Sequence, residues 1–388
     1  MPQNPSLHSL MMAFAEDTGL TGSAPPRRYL WTDAFAVCNY LELHRQTGGQ
    51  EYRQLALDLV EQVHAVLGRD RDSGAWLSGL DDKEALLHPT QGGLRIGKQL
   101  AERRADEPYD ELLEWDRDGQ YFHYLTRWMH ALNCVSRATG DGRYNQWAIE
   151  LARVAHAAFS YLPATGTVKR MVWKMSTDLT RPLVDSIGQH DPLDGLITCQ
   201  QLQATARRFP DTPGNPDLET EIEELTAMCD GMDWATVDPL GIGGLLGDAC
   251  RLTQLIDVYQ LQENSRLESL LQDIARSLLA FASNRQHNPL NLPAEYRLAF
   301  RELGLAIGLS AIPIMQAEIK QHPEAFTHGD ALNTTLESLY RFYPVRDVIR
   351  DFWQQAEHRA ASTWLEHADI NQVMLATCLS PDSYLTIA

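Results

Sequence analysis

Carboxylates, histidines and tryptophans are concentrated at a few points of this sequence, and the densest cluster is the heptapeptide 189–195, QHDPLDG. Hydrolysis of a glycosidic bond needs one proton donor and one carboxylate that acts on water or on the anomeric carbon. Asp191 or Asp194 from the heptapeptide, paired with Asp33 from an earlier segment, would supply these two groups. His190 and Gln189 precede them directly. We therefore take Asp33, Asp191, Asp194 and His190 as the catalytic candidates.

The same heptapeptide also has a purely structural interpretation. Asp191 can cap a helix, Pro192 suits the first helical position, and Asp194 would lie in the first turn. This capping pattern accounts for the two carboxylates. It leaves Gln189 and His190 unexplained, because both stand just outside the cap.

Tryptophans accompany acidic residues at two other points. Trp31 stands two residues before Asp33, and Trp115 directly precedes Asp116 in a Trp-Asp-Arg-Asp-Gly motif, with His123 a few residues later. An indole ring offers an apolar face to a sugar, while a neighbouring carboxylate can accept hydrogen bonds from its hydroxyls. The second point, Trp115 with Asp116, therefore predicts a sugar subsite. The structural alternatives are a favourable helix-dipole contact for Asp33, of about 0.3 to 1 kcal/mol, and a solvated turn for the second motif.

An internal repeat indicates which elements must position these residues. Eight residues recur at a constant offset of 92 positions, and each copy predicts a helix, a Thr-Gly turn and a second helix. In the first copy they are Thr47, Gly48, Tyr52, Gln54, Ala56, Leu59, His64 and Ala65. Because His64 and its equivalent His156 occupy the same position of the second helix, we predict packing roles for both.

Further helix pairs follow the repeat, although their sequences have diverged. Since a helical hairpin buries only one face by itself, such pairs must stack on one another. The predicted pairs are 32–46 with 51–67, 120–138 with 144–159, 192–207 with 218–229, 245–261 with 266–282, 294–320 with 331–342, and 345–365 with 370–379.

Six hairpins in a chain of 388 residues resemble the (α/α)6 toroid of six-hairpin glycosidases and of N-acylglucosamine 2-epimerases. This resemblance implies an all-α fold with an inner and an outer ring of helices. We expect one toroid domain over residues 1–388, with residues 1–20 as an N-terminal extension or an extra helix. A seven-hairpin ring or an open array would also fit the pattern.

The first helix of each pair is rich in Gly, Ala and Ser, as crowded helices require, so we predict that the first helices form the inner ring. Their N-termini would then share one rim, where the motifs described above would meet. The segment 291–297, NLPAEYR, would lie at the same rim. It adds Glu295 and Arg297 to the substrate-binding candidates Trp31, Trp115, Asp116, His123 and Gln189.

The first hairpin carries a more specific resemblance. Its order of Trp-x-Asp, helix, Thr-Gly, Tyr, helix and Asp-x-x-Ser-Gly-x-Trp, over about 50 residues, resembles a hairpin of unsaturated glucuronyl and rhamnogalacturonyl hydrolases. That resemblance implies that Asp33 is a general acid/base and that Trp31 forms a wall of the sugar site. The chain departs from these hydrolases in placing the motif almost at its N-terminus and in having no recognisable match downstream.

A sugar 2-epimerase of the same fold implies another chemistry. Such an enzyme would use a pair of ring-lining histidines to remove and return a proton beside a carbonyl. His190 with His123 or His367 is the corresponding pair in this sequence. A third interpretation, from a different class, is a non-catalytic binding or scaffold protein that keeps the ring without the chemistry.

The composition restricts the possible binding partners of the protein and its cellular compartment. The formal charge of −19 repels phosphate groups, and no basic run offsets it, so we expect neither nucleic acid nor a membrane as a partner. No secretory signal or run of about 18 apolar residues stands out, which predicts a cytoplasmic protein. The six cysteines show no Cys-x-x-Cys spacing, so we expect neither disulfides nor a bound metal.

The sequence therefore predicts a glycoside hydrolase-like protein of the cytoplasm that acts on a short saccharide without a cofactor. The identity of the substrate, the stereochemical outcome and the oligomeric state are left open at this point.

Overall fold

The computed structural model describes residues 5–186, 188–210, 212, 217–283 and 288–387, and the chain divides into two compact units. The first unit is Ala15–Met232. The second unit combines Asp233–Ala388 with residues 1–14. Helix α1 (Leu7–Asp17) opens the chain, and most of it belongs to the second unit.

The first unit is a series of helix pairs joined by short turns or by irregular segments. In chain order its helices are α2 (Leu30–Thr47), α3 (Gln50–Leu67), α4 (Asp82–Leu87), α5 (Glu111–Asp116), α6 (Phe122–Thr139), α7 (Gly142–Phe159), α8 (Asp191–Ala206) and α9 (Glu219–Cys229).

The internal repeat is confirmed by the helix boundaries of the first unit. The start and the end of α2 and of α3 recur in α6 and α7 with the same offset of 92 residues. Both pairs also turn on an equivalent glycine. Gly48 has φ 73° and Gly140 has φ 75°, the left-handed conformation that ends a helix and that favours glycine.

Burial distinguishes the helices of each pair. Helices α2 and α8 are buried over almost their whole length, whereas α3 and α7 each keep a solvent-exposed face. Helix α2 packs on α6, and α6 packs in turn on α8. The prediction that first helices are inner helices is therefore confirmed in this unit.

The two equivalent histidines of the outer helices are packed in the interior, as predicted. His64 is 4% exposed and His156 is 5% exposed. Trp128 Nε1 donates a hydrogen bond to His64 Nε2 at 3.1 Å. Because burial disfavours the charged ring, the pKa of His64 is lowered to about 3.

The strands of the described residues are short and belong to the first unit. They are β1 (Gln120–Tyr121), β2 (Ser160–Tyr161), β3 (Arg170–Met171), β4 (Lys174–Met175) and β5 (Pro182–Val184). One antiparallel sheet has the order β1-β4-β5 and the other pairs β2 with β3.

The second unit is also helical. Beyond α1, its helices are α10 (Pro239–Tyr259), α11 (Asn264–Ser283), α12 (Ala299–Leu309), α13 (Ala311–Gln321), α14 (Gly329–Tyr340), α15 (Pro344–Gln354), α16 (Ser362–Leu365), α17 (Ala368–Leu379) and α18 (Asp382–Leu385).

Two predicted helices of this unit are wrong in extent. The predicted helix 294–320 begins only at Ala299 and is interrupted at Ser310. The interruption follows from Pro313, which lacks an amide donor and whose ring would clash with the carbonyl of Leu309, four residues earlier. The predicted helix 345–365 ends at Gln354, and the short α16 covers only its last four residues.

The expectation that the first helix of a pair is the inner one is wrong for the last pair. Only Ile349 and Trp353 of α15 are buried, whereas most of α17 is buried. The N-terminal segment supplies a helix beside α17, because Gln372 Nε2 donates to the backbone oxygen of Leu10 in α1 at 2.5 Å. That residues 1–20 are an extension or an extra helix of the toroid stays a prediction.

Small residues permit the closest helix packing of the second unit. A Cβ added to Gly243 of α10 would lie 2.1 Å from the backbone oxygen of Gly304 in α12. A Cβ on Gly308 would lie 2.6 Å from the Cα of Gly243. The prediction that the small residues of these helices serve close packing is confirmed here.

Among the residues that the structure describes, one stretch is long and apolar enough to cross a membrane by length and composition alone. Ala299–Gln321 has a window of mean hydropathy 1.3, and 72% of that window is buried inside the protein. Burial of this extent is typical of a core helix, so the stretch is weak support for a membrane span.

Candidate functional site

The N-termini of α2, α6 and α8 bring aromatic and acidic side chains into contact in the first unit. His123, in the first turn of α6, is at the centre of this group of side chains. Its ring stacks on Tyr121 and Trp173, with centroids 5.2 Å and 6.1 Å apart, and meets Trp31 edge-on at 6.2 Å. We use the term rim site for Trp31, His123, Arg127, Trp173, Asp191 and Asp194.

Asp191 is the buried carboxylate beside this histidine. Its Oδ1 lies 3.7 Å from Nδ1 of His123, and the two side chains are 7% and 24% exposed. Neither Asp191 Oδ2 nor His123 Nδ1 has a hydrogen-bond partner. Because a buried polar atom without a hydrogen-bond partner costs free energy, these two atoms lower the stability of the folded protein.

The backbone before α8 is shaped to fit Asp191. A Cβ on Gly188 would lie 2.2 Å from Oδ2 of Asp191, so only glycine leaves the carboxylate where it is. Gln189 is exposed and His190 is half-buried in the turn that leads into the helix. Ile187, just before this turn, lies outside the described residues.

Asp194 has a different environment from Asp191. It is 3% exposed, accepts a hydrogen bond from the Thr126 hydroxyl, and accepts another from Arg127 Nη1 at 2.7 Å. The same guanidinium lies 5.6 Å from the centroid of the Trp31 ring. An arginine partner favours the ionised carboxylate, so Asp194 is a fixed negative charge beside the aromatic ring.

Asp33 lies in the interior beneath the rim site. Its Oδ2 accepts a hydrogen bond from the backbone N–H of Tyr29 at 2.9 Å, and its Oδ1 lies 3.5 Å from Arg28 Nη1. The side chain is 1% exposed. These are the contacts of a helix cap with a buried counter-ion, which is the structural alternative that the sequence allowed. A catalytic role for Asp33 stays a prediction.

Buried hydrogen bonds and ion pairs fix the backbone of the Trp-Asp-Arg-Asp-Gly segment. Lys174 is fully buried, and its Nζ donates to the Glu114 carboxylate at 3.0 Å and to the Arg117 backbone oxygen at 2.9 Å. Asp118 accepts from Arg95 Nη1 at 2.6 Å. The residues between these anchors therefore face outward.

Trp115 and Asp116 are those outward-facing residues. Trp115 is 48% exposed, and its ring meets the ring of Trp173 edge-on with centroids 4.7 Å apart. Asp116 is exposed beside it. Through Trp173, the Trp115 ring is connected to the ring of His123. A role of Trp115 and Asp116 in sugar binding stays a prediction.

Tyrosines complete the aromatic surface on its other side. The hydroxyls of Tyr29 and Tyr124 are 2.8 Å apart, and the Tyr124 ring lies 5.3 Å from the ring of Trp31. Burial raises the pKa of Tyr29 to about 12, so this hydroxyl stays protonated and acts as a neutral hydrogen-bonding group.

Two predicted binding residues belong to the second unit. Arg297 is buried and bonds to the Glu302 carboxylate at 2.6 Å, and Glu302 also accepts from Trp353 Nε1 at 2.9 Å. Arg297 is thus engaged in a core ion pair. Glu295 is exposed. His367, the third histidine of the epimerase prediction, also lies in this unit, where its ring meets Phe300.

Sequence analysis did not identify Arg127, Thr126 or Trp173. Arg127 could have been inferred, because it lies one helical turn after His123 and therefore on the same face of α6. Trp173 could not, because it stands in an irregular segment before a two-residue strand.

Neither the models of known protein families nor the curated proteins include a match to this chain. Among solved structures, it is similar to a GH76 α-mannanase from Bacteroides thetaiotaomicron, with 10% identity, a TM-score of 0.52, and coverage of 97% of this chain and 96% of that one. A cellobiose 2-epimerase from Spirochaeta thermophila covers 88% of this chain and 98% of its own, with 13% identity and a TM-score of 0.43.

The similarity to the mannanase extends over nearly the whole of both chains and shows that the fold is an (α/α)6 toroid. The predicted all-α fold class is therefore confirmed. At 10% identity the similarity concerns the fold alone.

Proposed function

We propose that the chain is a carbohydrate-active enzyme that hydrolyses a glycosidic bond at the rim site. The observation that carries the proposal is the Asp191–His123 pair, in which Asp191 Oδ2 and His123 Nδ1 lack hydrogen-bond partners although Asp191 is buried. A sugar hydroxyl or a glycosidic oxygen would satisfy both atoms. The neighbouring indole rings give the apolar surface on which a sugar ring packs.

In this proposal the two aspartates of α8 have different roles. Asp191 is the acid/base residue, because its second oxygen is not engaged by the protein. Asp194 is held ionised by Arg127 and stabilises the positive charge that develops on the sugar ring in the transition state. Trp31 and Trp173 are the walls of the subsite at the bond to be cleaved, and Trp115 belongs to a neighbouring subsite.

Fold and composition add weaker support. A toroid hosts several sugar chemistries, and its sites are grafted onto the fold, so the structural neighbours narrow the substrate class without fixing it. All six cysteines are free thiols, which fits a reducing compartment. We propose a short saccharide as the substrate and the cytoplasm as the location.

A second candidate, epimerisation beside a sugar carbonyl, is favoured by His123 itself. Its ring is partly exposed and is stacked between Tyr121 and Trp173, and Nδ1 faces a carboxylate. A carboxylate beside one ring nitrogen orients the imidazole and leaves the other nitrogen to act as a base.

One experiment tests both candidates. The protein is screened by thermal shift against mono-, di- and unsaturated oligosaccharides, and each sugar that stabilises it is then incubated in deuterated water for product analysis. Shorter saccharides indicate hydrolysis. An unchanged chain length with deuterium on the carbon beside the carbonyl indicates epimerisation and overturns the hydrolase proposal. Stabilisation without any product would favour the binding protein.

A further inference from the structure

A second polar cluster lies deeper in the first unit, between α2 and α6. Cys38 of α2 faces His130 and Cys134 of α6, and their sulfur and imidazole nitrogen atoms all lie within 4.8 Å of one another. Cys38 and His130 are buried and Cys134 is half-buried. The 92-residue offset of the repeat makes Cys38 and His130 equivalent positions, so both belong to the inner faces of their helices.

The spacing of these atoms matches the geometry of a tetrahedral metal centre. Zinc lies about 2.3 Å from a thiolate and about 2.0–2.1 Å from an imidazole nitrogen, so the sulfur and nitrogen ligands of one tetrahedron are about 3.6 Å apart. Cys134 Sγ and His130 Nε2 are 3.6 Å apart. The pair therefore needs no rearrangement to share a cation.

The histidine is oriented for this role by groups behind it. His130 Nδ1 lies 3.1 Å from Nε2 and 3.3 Å from Oε1 of the Gln201 side chain in α8, and Gln201 Nε2 donates to Asn133 Oδ1 at 2.7 Å. In the tautomer that carries its proton on Nδ1, this proton points to Oε1 and the lone pair of Nε2 lies on the side of the two sulfur atoms. Support of this kind is usual for histidines that bind metals.

We propose that Cys38, His130 and Cys134 bind one thiophilic divalent cation of the zinc type, which joins α2 to α6 beneath the rim site. The set of two thiolates and one imidazole suits zinc among the common divalent ions and leaves a fourth position for water. Cys38 follows Trp31 by seven residues, and His130 follows His123 by seven, so the centre is about 10 Å below the rim. The proposal differs from the expectation of no metal, and it does not depend on the proposed hydrolysis.

The test uses cobalt(II) as a spectroscopic substitute for zinc. The reduced, chelator-treated full-length protein is titrated with cobalt chloride while its absorption is recorded. We expect one cobalt per chain, with a thiolate-to-cobalt charge-transfer band in the ultraviolet and the visible bands of a tetrahedral site. Added zinc should displace the cobalt. Absence of these bands in the reduced protein would overturn the proposal.

Single substitutions show whether cobalt binds at the cluster of Cys38, His130 and Cys134 or elsewhere on the protein. Cys38→Ala and Cys134→Ala should abolish the charge-transfer band, whereas Cys199→Ala, which removes a buried thiol of α8 outside the cluster, should leave it unchanged. Gln201→Leu keeps all three ligands and should weaken zinc binding by about 10- to 100-fold. Persistence of the cobalt spectrum in either of the first two variants would contradict the assignment. Circular dichroism of each metal-free variant verifies that it is folded.

Discussion

At the scale of single residues, two aspartates of the rim site have different hydrogen-bond partners, although the sequence gives no reason to distinguish them. Asp191 and Asp194 are three residues apart on one helix, yet only Asp194 is engaged by an arginine. Asp33, the third carboxylate, is committed to Arg28 and to a helix N-terminus. The difference in hydrogen-bond partners, rather than residue type, indicates which carboxylate is available for chemistry.

The fit between Gly188 and Asp191 gives a prediction about activity. Gly188→Ala would place a Cβ 2.2 Å from Asp191 Oδ2, so the carboxylate must move. Because a displacement of about 1 Å in a catalytic group can cost about 100-fold in rate, we expect a loss of kcat of about that size on the saccharide found in the screen.

Gly329→Ala is the matched control for that variant, since its added Cβ would meet other atoms only at 3.8 Å. It should keep the wild-type kcat. Wild-type kinetics for Gly188→Ala would contradict the placement of Asp191 at the reaction centre.

His64 gives a prediction about the effect of pH on stability. The pKa of His64 in the folded protein is about 3, below its ordinary value of 6.5, so the unfolded chain takes up a proton first as the pH falls. This contribution to stability is complete above pH 6.5 and is lost as the pH falls toward 3. Between pH 7 and pH 5 it amounts to about 2 kcal/mol.

Replacement of His64 should remove that part of the pH dependence. Urea unfolding at pH 7 and pH 5 should give His64→Gln a smaller decrease in the free energy of unfolding than the wild type, by about 2 kcal/mol. His8→Gln, at an exposed position, is the control and should behave as the wild type does. Equal decreases in wild type and His64→Gln would show that the ring is not buried in its neutral form.

Part of the site could be predicted from residue types alone. Trp31, His123 and Asp191 stand in or beside motifs at helix N-termini, so the hairpin pattern already placed them at one rim. The Cys38, His130 and Cys134 cluster could not be found by spacing rules, because 92 residues separate Cys38 from His130. Only the His-x-x-x-Cys interval of α6 was visible, and one pair at that interval is common in packed helices.

At the scale of the elements, the repeat gave the most accurate predictions. A constant offset constrains both ends of four helices at once, which is why α2, α3, α6 and α7 are close to their predicted bounds. The errors arose where no repeat was available. The break at Ser310 could have been inferred from Pro313, whereas no proline or glycine marks the end of α15 at Gln354.

Two glycines of α10 give a matched test of helix packing. A Cβ on Gly243 would meet the backbone of α12 at 2.1 Å, whereas a Cβ on Gly247, one turn later, would meet only a leucine methyl group at 3.9 Å. We expect Gly243→Ala to lower the free energy of unfolding by about 1–3 kcal/mol. We expect Gly247→Ala to raise it by about 0.5–1 kcal/mol, because alanine is the better helix former.

Urea unfolding of both variants at one temperature provides the comparison. If the two substitutions had the same effect, the close contact between α10 and α12 would not be present in solution.

At the scale of the whole molecule, an (α/α)6 toroid accounts for the composition of the chain. Its inner helices need small or apolar residues on every side, and its outer helices need one charged face, so the fold combines 44% hydrophobic residues with a net charge of −19. That residues 1–388 form a single domain stays a prediction, since the described residues divide into two compact units.

Calorimetry tests the single-domain prediction. A closed ring should unfold in one cooperative transition, so the calorimetric enthalpy should equal the van't Hoff enthalpy. The destabilising Gly243→Ala substitution should shift that one transition as a whole. Two separate transitions, of which only one responds to Gly243→Ala, would contradict a single domain.

The assignment of chemistry to the rim site is tested most directly by Asp191→Asn, measured with the first saccharide that the wild type converts. We predict that kcat falls by about 10²- to 10⁴-fold, because the amide cannot transfer the proton, while binding measured by calorimetry is retained. Asp58→Asn, on the outer helix α3, should keep wild-type values of both. Turnover by Asp191→Asn at the wild-type rate would contradict the account.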